Sequence, residues 1–401
     1  MRKVTWLAIL AICFSFSSLC QNGACKESFK KIQIDENLLC TFISFTPDGQ
    51  YAIYIKKTGT GHNIIKYDIS KKTKTLLNKE SKKPSFIFKG CHYWTSNDYV
   101  CWLDEGRIYA FNLKADKEIL VSSKTGSPTS ISLASHYLFW TDGIPGENSH
   151  ACLYYKDLKT SESPKCIYEI KNRNYRDFFC FAFESYDNTY YAFHDFNGDK
   201  SKIMLFDTNE KKLRTLADTN NIEYFLSAQG KYVFYAEYAK PDPPPYFDLE
   251  PVVESGKIKK VDVKTGKVSD VLAFDKGNKA LFFSLNRHEK YNAVITVYDY
   301  PNQVNHIYLH NLATGKTEKL FDSPTKESIF VMSLSGMNLV CTKYKTSLDV
   351  HLYNIKTKTS VAVAMITHFL NTAQDLRAIT SFMWKAAGLQ AISSYFMQTR
   401  L

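Results

Sequence analysis

Apolar and polar residues alternate with a period of two over short runs along most of the chain, and the runs recur. Each copy ends in Asp or Asn, then an apolar residue, a polar turn rich in Lys, Thr and Gly, and another apolar run. The copies lie at residues 64–69, 108–113, 153–160, 203–208, 258–267, 307–316 and 350–357. Their anchors are Asp68, Asn112, Asp157, Asp207, Asp262, Asn311 and Asn354, spaced 44, 45, 50, 55, 49 and 43 residues apart. Period-two alternation predicts a strand at each copy. Asp or Asn before a Thr-Gly-Lys turn predicts a hairpin, because the short side chain can bond the turn's own amides. A second hairpin precedes each anchor. Its first copy runs Thr41–Phe45, turns at Thr46-Pro47-Asp48-Gly49, and returns over Gln50–Ile55. Looser copies turn at Ser96-Asn97-Asp98, Ala228-Gln229-Gly230 and Ser335-Gly336.

Two hairpins in about 45 residues make a four-stranded unit that cannot bury both faces alone, which is the signature of a propeller blade. The expected fold is all-β: a β-propeller of seven four-stranded blades over residues 40–366. The expected blades are 40–80, 89–122, 129–170, 178–217, 222–273, 280–322 and 328–366. Residues 21–39 precede them, with Ile32 and Ile34 placed to add a ring-closing strand. Residues 367–401 break the pattern. Leu370, Leu376, Ile379, Phe382 and Met383 fall near helical spacing, so a weakly helical or disordered tail is expected there.

The blade pattern resembles the TolB-like and dipeptidyl-peptidase-type propellers, whose repeats pair an S-P-D-G turn with a D-Φ-x-T-G-k turn. Phe45 to Gln50 and Asp262 to Lys267 carry the match. Tyr93-Trp94-Thr95-Ser96 and Phe139-Trp140-Thr141-Asp142 are similar to Y-W-T-D repeats. The resemblance covers about residues 40–365 and implies a fold, not an activity. No G-x-S-x-G elbow occurs, and the stretch after the last repeat is too short for a hydrolase domain, so the peptidase activity is not implied.

The 401 residues are 44% hydrophobic and 23% charged, with 26 Tyr and 27 Phe, which suits a folded β protein rather than a disordered one. Residues 1–20 read as a signal peptide: Arg2 and Lys3, an apolar stretch from Val4 to Phe16, and small residues at Ser18 and Cys20 before the cut. That stretch is shorter than the ~20 residues of a membrane span. A mature chain starting near Gln21, secreted or in the secretory lumen and without a span, is expected. Eight of the ten cysteines remain after cleavage. An even count in an oxidising compartment argues for disulfides, with buried thiols as the alternative for several. Cys152 with Cys166, and Cys25 with Cys40, are the local pairs to test. The formal charge is +11. The lysine-rich turns, such as 71–74 and 211–212, are read as solvated charge rather than a polyanion site. Tyrosines inside strands are read as core and not as platforms for bases, so no nucleic-acid partner is expected.

Chemistry is sought in the links from the second to the third strand of each unit, which vary most in length and composition. These hold Asp104 to Gly106, Asp142 to His150, Asp195 to Ser201, Ala236 to Gly256 and Tyr298 to Asn305. The longest contains Tyr238, a proline run, Tyr246, Phe247, Asp248 and Glu250. It suits an aromatic and acidic recognition loop for a protein, peptide or glycan. The candidate ligand-binding residues are Tyr238, Tyr246, Phe247, Asp248, Asp142, His150, Asp104, Tyr298 and Asp299. The rival expectation is an enzyme with Asp104, Asp142, Asp195, Asp248 and Asp299 around a central channel. Asp195 to Asp199 resembles half a calcium loop without its glutamate, and His288-Glu289 lacks the second His of H-E-x-x-H. No metal and no cofactor are expected.

Overall fold

The structure is a computed structural model. It describes residues 40–46, 48–57, 62–78, 93–104, 106–122, 129–143, 150–171, 180–197, 200–218, 222–238, 255–275, 278–285, 292–299, 302–324, 329–335, 338–344 and 348–366. The signal-peptide, ring-closing-strand and tail expectations, together with Tyr246, Phe247, Asp248 and Cys25, lie outside these residues.

Among the described residues every regular element is a strand, and the strands form seven four-stranded antiparallel sheets in chain order. Sheet 1 is β1 (Cys40–Phe45), β2 (Tyr51–Lys57), β3 (His62–Asp68) and β4 (Thr73–Leu76). Sheet 2 is β5 (Tyr93–Thr95), β6 (Tyr99–Asp104), β7 (Arg107–Asn112) and β8 (Lys117–Ser122). Sheet 3 is β9 (Thr129–Ala134), β10 (Tyr137–Gly143), β11 (His150–Asp157) and β12 (Lys165–Lys171). Sheet 4 is β13 (Cys180–Ser185), β14 (Asn188–Asn197), β15 (Lys200–Asp207) and β16 (Lys212–Ala217). Sheet 5 is β17 (Ile222–Gln229), β18 (Tyr232–Tyr238), β19 (Gly256–Asp262) and β20 (Val268–Phe274). Sheet 6 is β21 (Asn278–Leu285), β22 (Asn292–Asp299), β23 (Val304–Asn311) and β24 (Thr317–Pro324). Sheet 7 is β25 (Ile329–Ser335), β26 (Asn338–Tyr344), β27 (Leu348–Asn354) and β28 (Thr359–Ile366).

These bounds fall within a few residues of the sequence expectation. The departures are local. The sheet-5 hairpin turns at Gly230-Lys231, because Ala228 and Gln229 still pair as strand with Val233 and Tyr232. Asp195 to Asn197 extend β14 rather than forming a link.

All seven anchors close the third strand of their sheet, and each accepts amides of its own turn. Asp262 Oδ1 takes the N–H of Lys264 and Thr265, both at 3.0 Å, and Asn311 Oδ1 takes Ala313 and Thr314 at 3.0 and 2.9 Å. Lys71, Ala115, Lys159, Glu210 and Thr357 donate to the other five anchors. The Lys71 amide is the main reason the Asp68 carboxyl sits below its ordinary value. The residue four places after the anchor then takes a positive φ in six of the seven turns: Lys72, Asp116, Lys211, Gly266, Gly315 and Lys358.

Contacts divide the chain into two compact units: the first holds sheets 1 to 3, the second sheets 5 to 7, and the boundary runs through sheet 4. In both, the second strand of a sheet is covered on two faces. Ala52–Ile55, Val100–Trp102 and Val233–Ala236 are buried without a break, so these strands read as apolar runs rather than alternating ones. Fourth strands stay partly exposed. In the first unit, apolar clusters join sheet 1 to sheet 2 through Ile53, Ile64, Trp102 and Phe111, and sheet 2 to sheet 3 through Ile108, Leu133 and Trp140. In the second, Phe234, Ile258 and Ile295 join sheets 5 and 6, and Ile307, Leu309 and Leu339 join sheets 6 and 7.

Candidate functional site

In an antiparallel four-stranded sheet the links β2–β3, β6–β7 and their equivalents leave from one end, and the anchored turns from the other. Six of the sequence-predicted site residues, Asp104, Asp142, His150, Tyr238, Tyr298 and Asp299, lie at the first end of their sheets, with Tyr298 next to the end of β22 opposite Asn305.

In the first unit, Asp104 ends β6, is buried, and stands opposite Arg107. Asp142, near the end of β10, stands opposite Cys152, and His150 opens β11 opposite Lys171. Cys152 and Cys166 form a disulfide with a Cα–Cα distance of 5.8 Å, tying β11 to the edge strand β12. Asp142, His150 and this bridge therefore share one end of sheet 3. Cys101 and Cys341 are buried free thiols, so the even cysteine count does not translate into complete pairing. Burial pushes both thiols up, Cys341 to about 12.

In the second unit, Tyr238 ends β18 and Gly256 opens β19 directly opposite it, so the long link 239–255 leaves and re-enters the sheet side by side. A Cβ on Gly256 would come within 2.6 Å of the Glu237 carbonyl oxygen and of the Phe274 ring, so no side chain fits there. Three residues along β19 from that junction, Lys259 donates to Glu237, the neighbour of Tyr238 on β18, at 2.8 Å with both groups largely covered. The link thus stands on a fixed base.

Sheet 6 carries a cluster that sequence reading found only in part. Asp299, at the end of β22, accepts from the Asn302 amide at 3.1 Å and from Asn302 Nδ2 at 2.8 Å. His306, on β23, sets Nε2 3.4 Å from Asp299 Oδ2 and Nδ1 2.6 Å from Asp322 Oδ1 on β24. Lys319 closes the row at 2.7 Å from Asp322. Donation from the Asn302 side chain is the chief reason the Asp299 carboxyl lies below its ordinary value. At Asp322 burial pulls upward, and the hydrogen bonds from Lys319 and His306 outweigh it, leaving that carboxyl lowered too. The imidazole presents its two nitrogens to different carboxylates, so the three groups do not point at a common centre. No metal-binding group of three is found among the described residues. The signal in the sequence was the D-x-x-N spacing of Asp299 and Asn302. His306 and Asp322 meet only through the β23–β24 register, which pairs them directly.

A second polar group lies on the same face of β23, toward sheet 5. Lys260 Nζ is 3.0 Å from His310 Nε2, His310 Nδ1 is 2.8 Å from Thr317 Oγ1, and Thr317 donates to the Val271 carbonyl at 2.8 Å. Because Thr317 gives its proton to a carbonyl, its oxygen accepts from His310 Nδ1. Nε2 is then the bare acceptor for the Lys260 ammonium. Burial first, and Lys260 second, press the His310 pKa down to about 4. Burial and Lys231 lower Lys260 as well, and its ammonium lies 4.8 Å from the Tyr232 ring centre.

No protein-family model matches the sequence, and no curated protein is similar to it. Solved structures are similar in fold. Dipeptidyl peptidase 4 of Porphyromonas gingivalis superposes with a TM-score of 0.56 at 10% identity, over 90% of this chain and 57% of that one. Oligopeptidase B of Leishmania major gives 0.53 at 9%, over 82% and 49%. Prolyl oligopeptidase B of Galerina marginata gives 0.53 at 12%, over 81% and 50%. The chain spans about half the length of these structures. At the level of the fold, the chain resembles these propeller proteins.

Proposed function

We propose that the chain is a secreted, seven-bladed propeller over residues 40–366, released by cleavage of residues 1–20, that binds a protein, peptide or glycan through the links from second to third strands. The observation that carries this reading is the link 239–255. The six equivalent links span two to six residues, whereas this one spans seventeen, rooted at Gly256 and the Glu237–Lys259 pair. The prolines at 241, 243, 244, 245 and 251 around Tyr246 and Phe247 restrict the backbone before binding, which lowers the entropy lost when the aromatic rings meet a partner. The Cys152–Cys166 disulfide suits an oxidising compartment, and no helix among the described residues is long and apolar enough to cross a membrane. Both fit an extracellular protein.

A second reading, a propeller enzyme acting on a small molecule or glycan, is favoured by the Asp299–His306–Asp322 row: Asp322, 2.6 Å from Nδ1, orients the imidazole, and Nε2, at the longer 3.4 Å from Asp299, is the nitrogen a substrate would have to take over for His306 to act as a general base. The similar solved structures named above are peptidases by name, at 12% identity or less and over about half their length, which carries the fold alone. A pull-down from the secreted milieu separates the readings. The binding account expects a partner that is captured by the full chain and by His306→Ala, and lost when 239–255 is replaced by an Asn-Gly turn. Turnover of a small substrate that His306→Ala abolishes and the link replacement spares would establish the enzyme instead.

A further inference from the structure

The opposite end of the second unit carries a different chemistry. The anchored turns β19–β20, β23–β24 and β27–β28 occupy residues 263–267, 312–316 and 355–358. They contain Lys264, Lys267, Lys316, Lys356 and Lys358, and no acid. Val263, Leu312 and Ile355 turn inward, and every other residue of the three turns is exposed. At the other end of sheet 5, the link 239–255 has Lys240 against Asp242, Asp248, Glu250 and Glu254.

The three turns lie side by side. Lys260, two residues before one anchor, meets His310, one residue before the next. Leu309 and Tyr353 hold the corresponding places between sheets 6 and 7 and share one cluster. Packed sheets stand about 10 Å apart, so the row spans about 20 Å. Each of the three turns thus brings at least one exposed ammonium group to the row: Lys264 and Lys267, Lys316, and Lys356 and Lys358. Lys267, Lys316, Lys356 and Lys358 have no carboxylate within ion-pair distance among the described residues. Lys358 moreover takes φ 55° where Gly266 and Gly315 serve in the neighbouring turns. A lysine there carries backbone strain that glycine would avoid.

From the sequence alone the lysine-rich turns read as solvated charge; we propose that at this end of the second unit they form instead a docking surface for a sulfated polysaccharide, whose closely spaced anions suit a row of adjacent turns that each carry lysine and no acid. The turns contain no aromatic to stack on a base and no arginine fork for a phosphate, which disfavours nucleic acid. Their large apolar side chains face the core, which disfavours insertion into a membrane. An oxidising compartment is also where such polysaccharides are met.

The test uses the full chain on immobilised heparin under a salt gradient. Retention at ~0.15 M salt is expected. K264Q/K267Q/K316Q/K356Q/K358Q should weaken binding by roughly tenfold or more and flatten its salt dependence. K71Q/K114Q/K165Q/K202Q/K257Q removes the same charge from lysines already held by carboxylates, and should change binding by less than about threefold. The milder K356Q/K358Q, checked for an unchanged melting temperature, should give an intermediate loss. Equal loss in both five-lysine variants, no retention of the native chain, or tighter binding to duplex DNA or to phosphatidylserine vesicles than to heparin would each overturn the proposal.

Discussion

His310 has its two ring nitrogens committed in opposite senses, one donating to Thr317 and one accepting from Lys260. A second proton on the ring would set an N–H against an ammonium. The unfolded chain takes that proton near 6.5 and the folded one only near 4, so between these values the unfolded state holds more protons. Stability therefore falls as pH drops through that window, by up to ~3 kcal/mol. The lowered Lys260 has the same slope in the alkaline range. His310→Gln keeps an acceptor for Lys260 and a donor for Thr317 without titrating. Its melting temperature should vary less between pH 6.5 and 4 than that of the native chain; an unchanged slope would place the effect on other groups. Gly256 makes a second prediction at this scale. Gly256→Ala must displace the Phe274 ring or the Glu237 carbonyl, and should cost about 1–3 kcal/mol in denaturant unfolding. The anchors were legible in the sequence because an Asx turn is local: the oxygen of Asp262 reaches amides two and three residues on. The partner of His310 was not, since Lys260 lies 50 residues away and meets it only once two sheets pack.

The anchored turn is the element repeated most faithfully, and its left-handed position separates easy sequences from strained ones. Gly266 and Gly315 hold φ near 70° at little steric cost, while Lys72 and Lys211 hold 57° and 53°. Lys72→Gly and Lys211→Gly should each raise stability by a few tenths to about 1 kcal/mol, and Gly266→Ala should lower it by a similar amount, read from melting temperatures. The disulfide acts on the neighbouring scale. It closes a loop of separation 14 between β11 and the edge strand β12, worth about 3 kcal/mol in the chain-entropy picture. The double variant Cys152→Ser with Cys166→Ser should melt several degrees lower, and a reductant should destabilise the native chain but not the variant. The pairing was visible as a short spacing, because β11 and β12 are consecutive and joined by one turn. The buried thiols were harder to assign: Cys101 sits in an apolar run that an all-disulfide count cannot tell from a bridge position.

For the whole molecule, the period of the anchors displays the seven sheets in the sequence itself, since each repeat must bring its own four strands to be covered on both faces. The site was less legible. Asp104, Asp142, His150, Tyr238, Tyr298 and Asp299 fall at the expected ends of their strands, but His306, Asp322 and Lys319 join Asp299 through cross-strand register alone. In the proposed function, the long link of sheet 5 is the binding element and not a strut of the fold. It is tested by measuring partner affinity and melting temperature together for Tyr246→Ala and Phe247→Ala. At least one variant should lose about 2 kcal/mol or more of binding, roughly thirtyfold in Kd, while the melting temperature moves by no more than about 1 °C. Undiminished affinity with a melting temperature several degrees lower would contradict it.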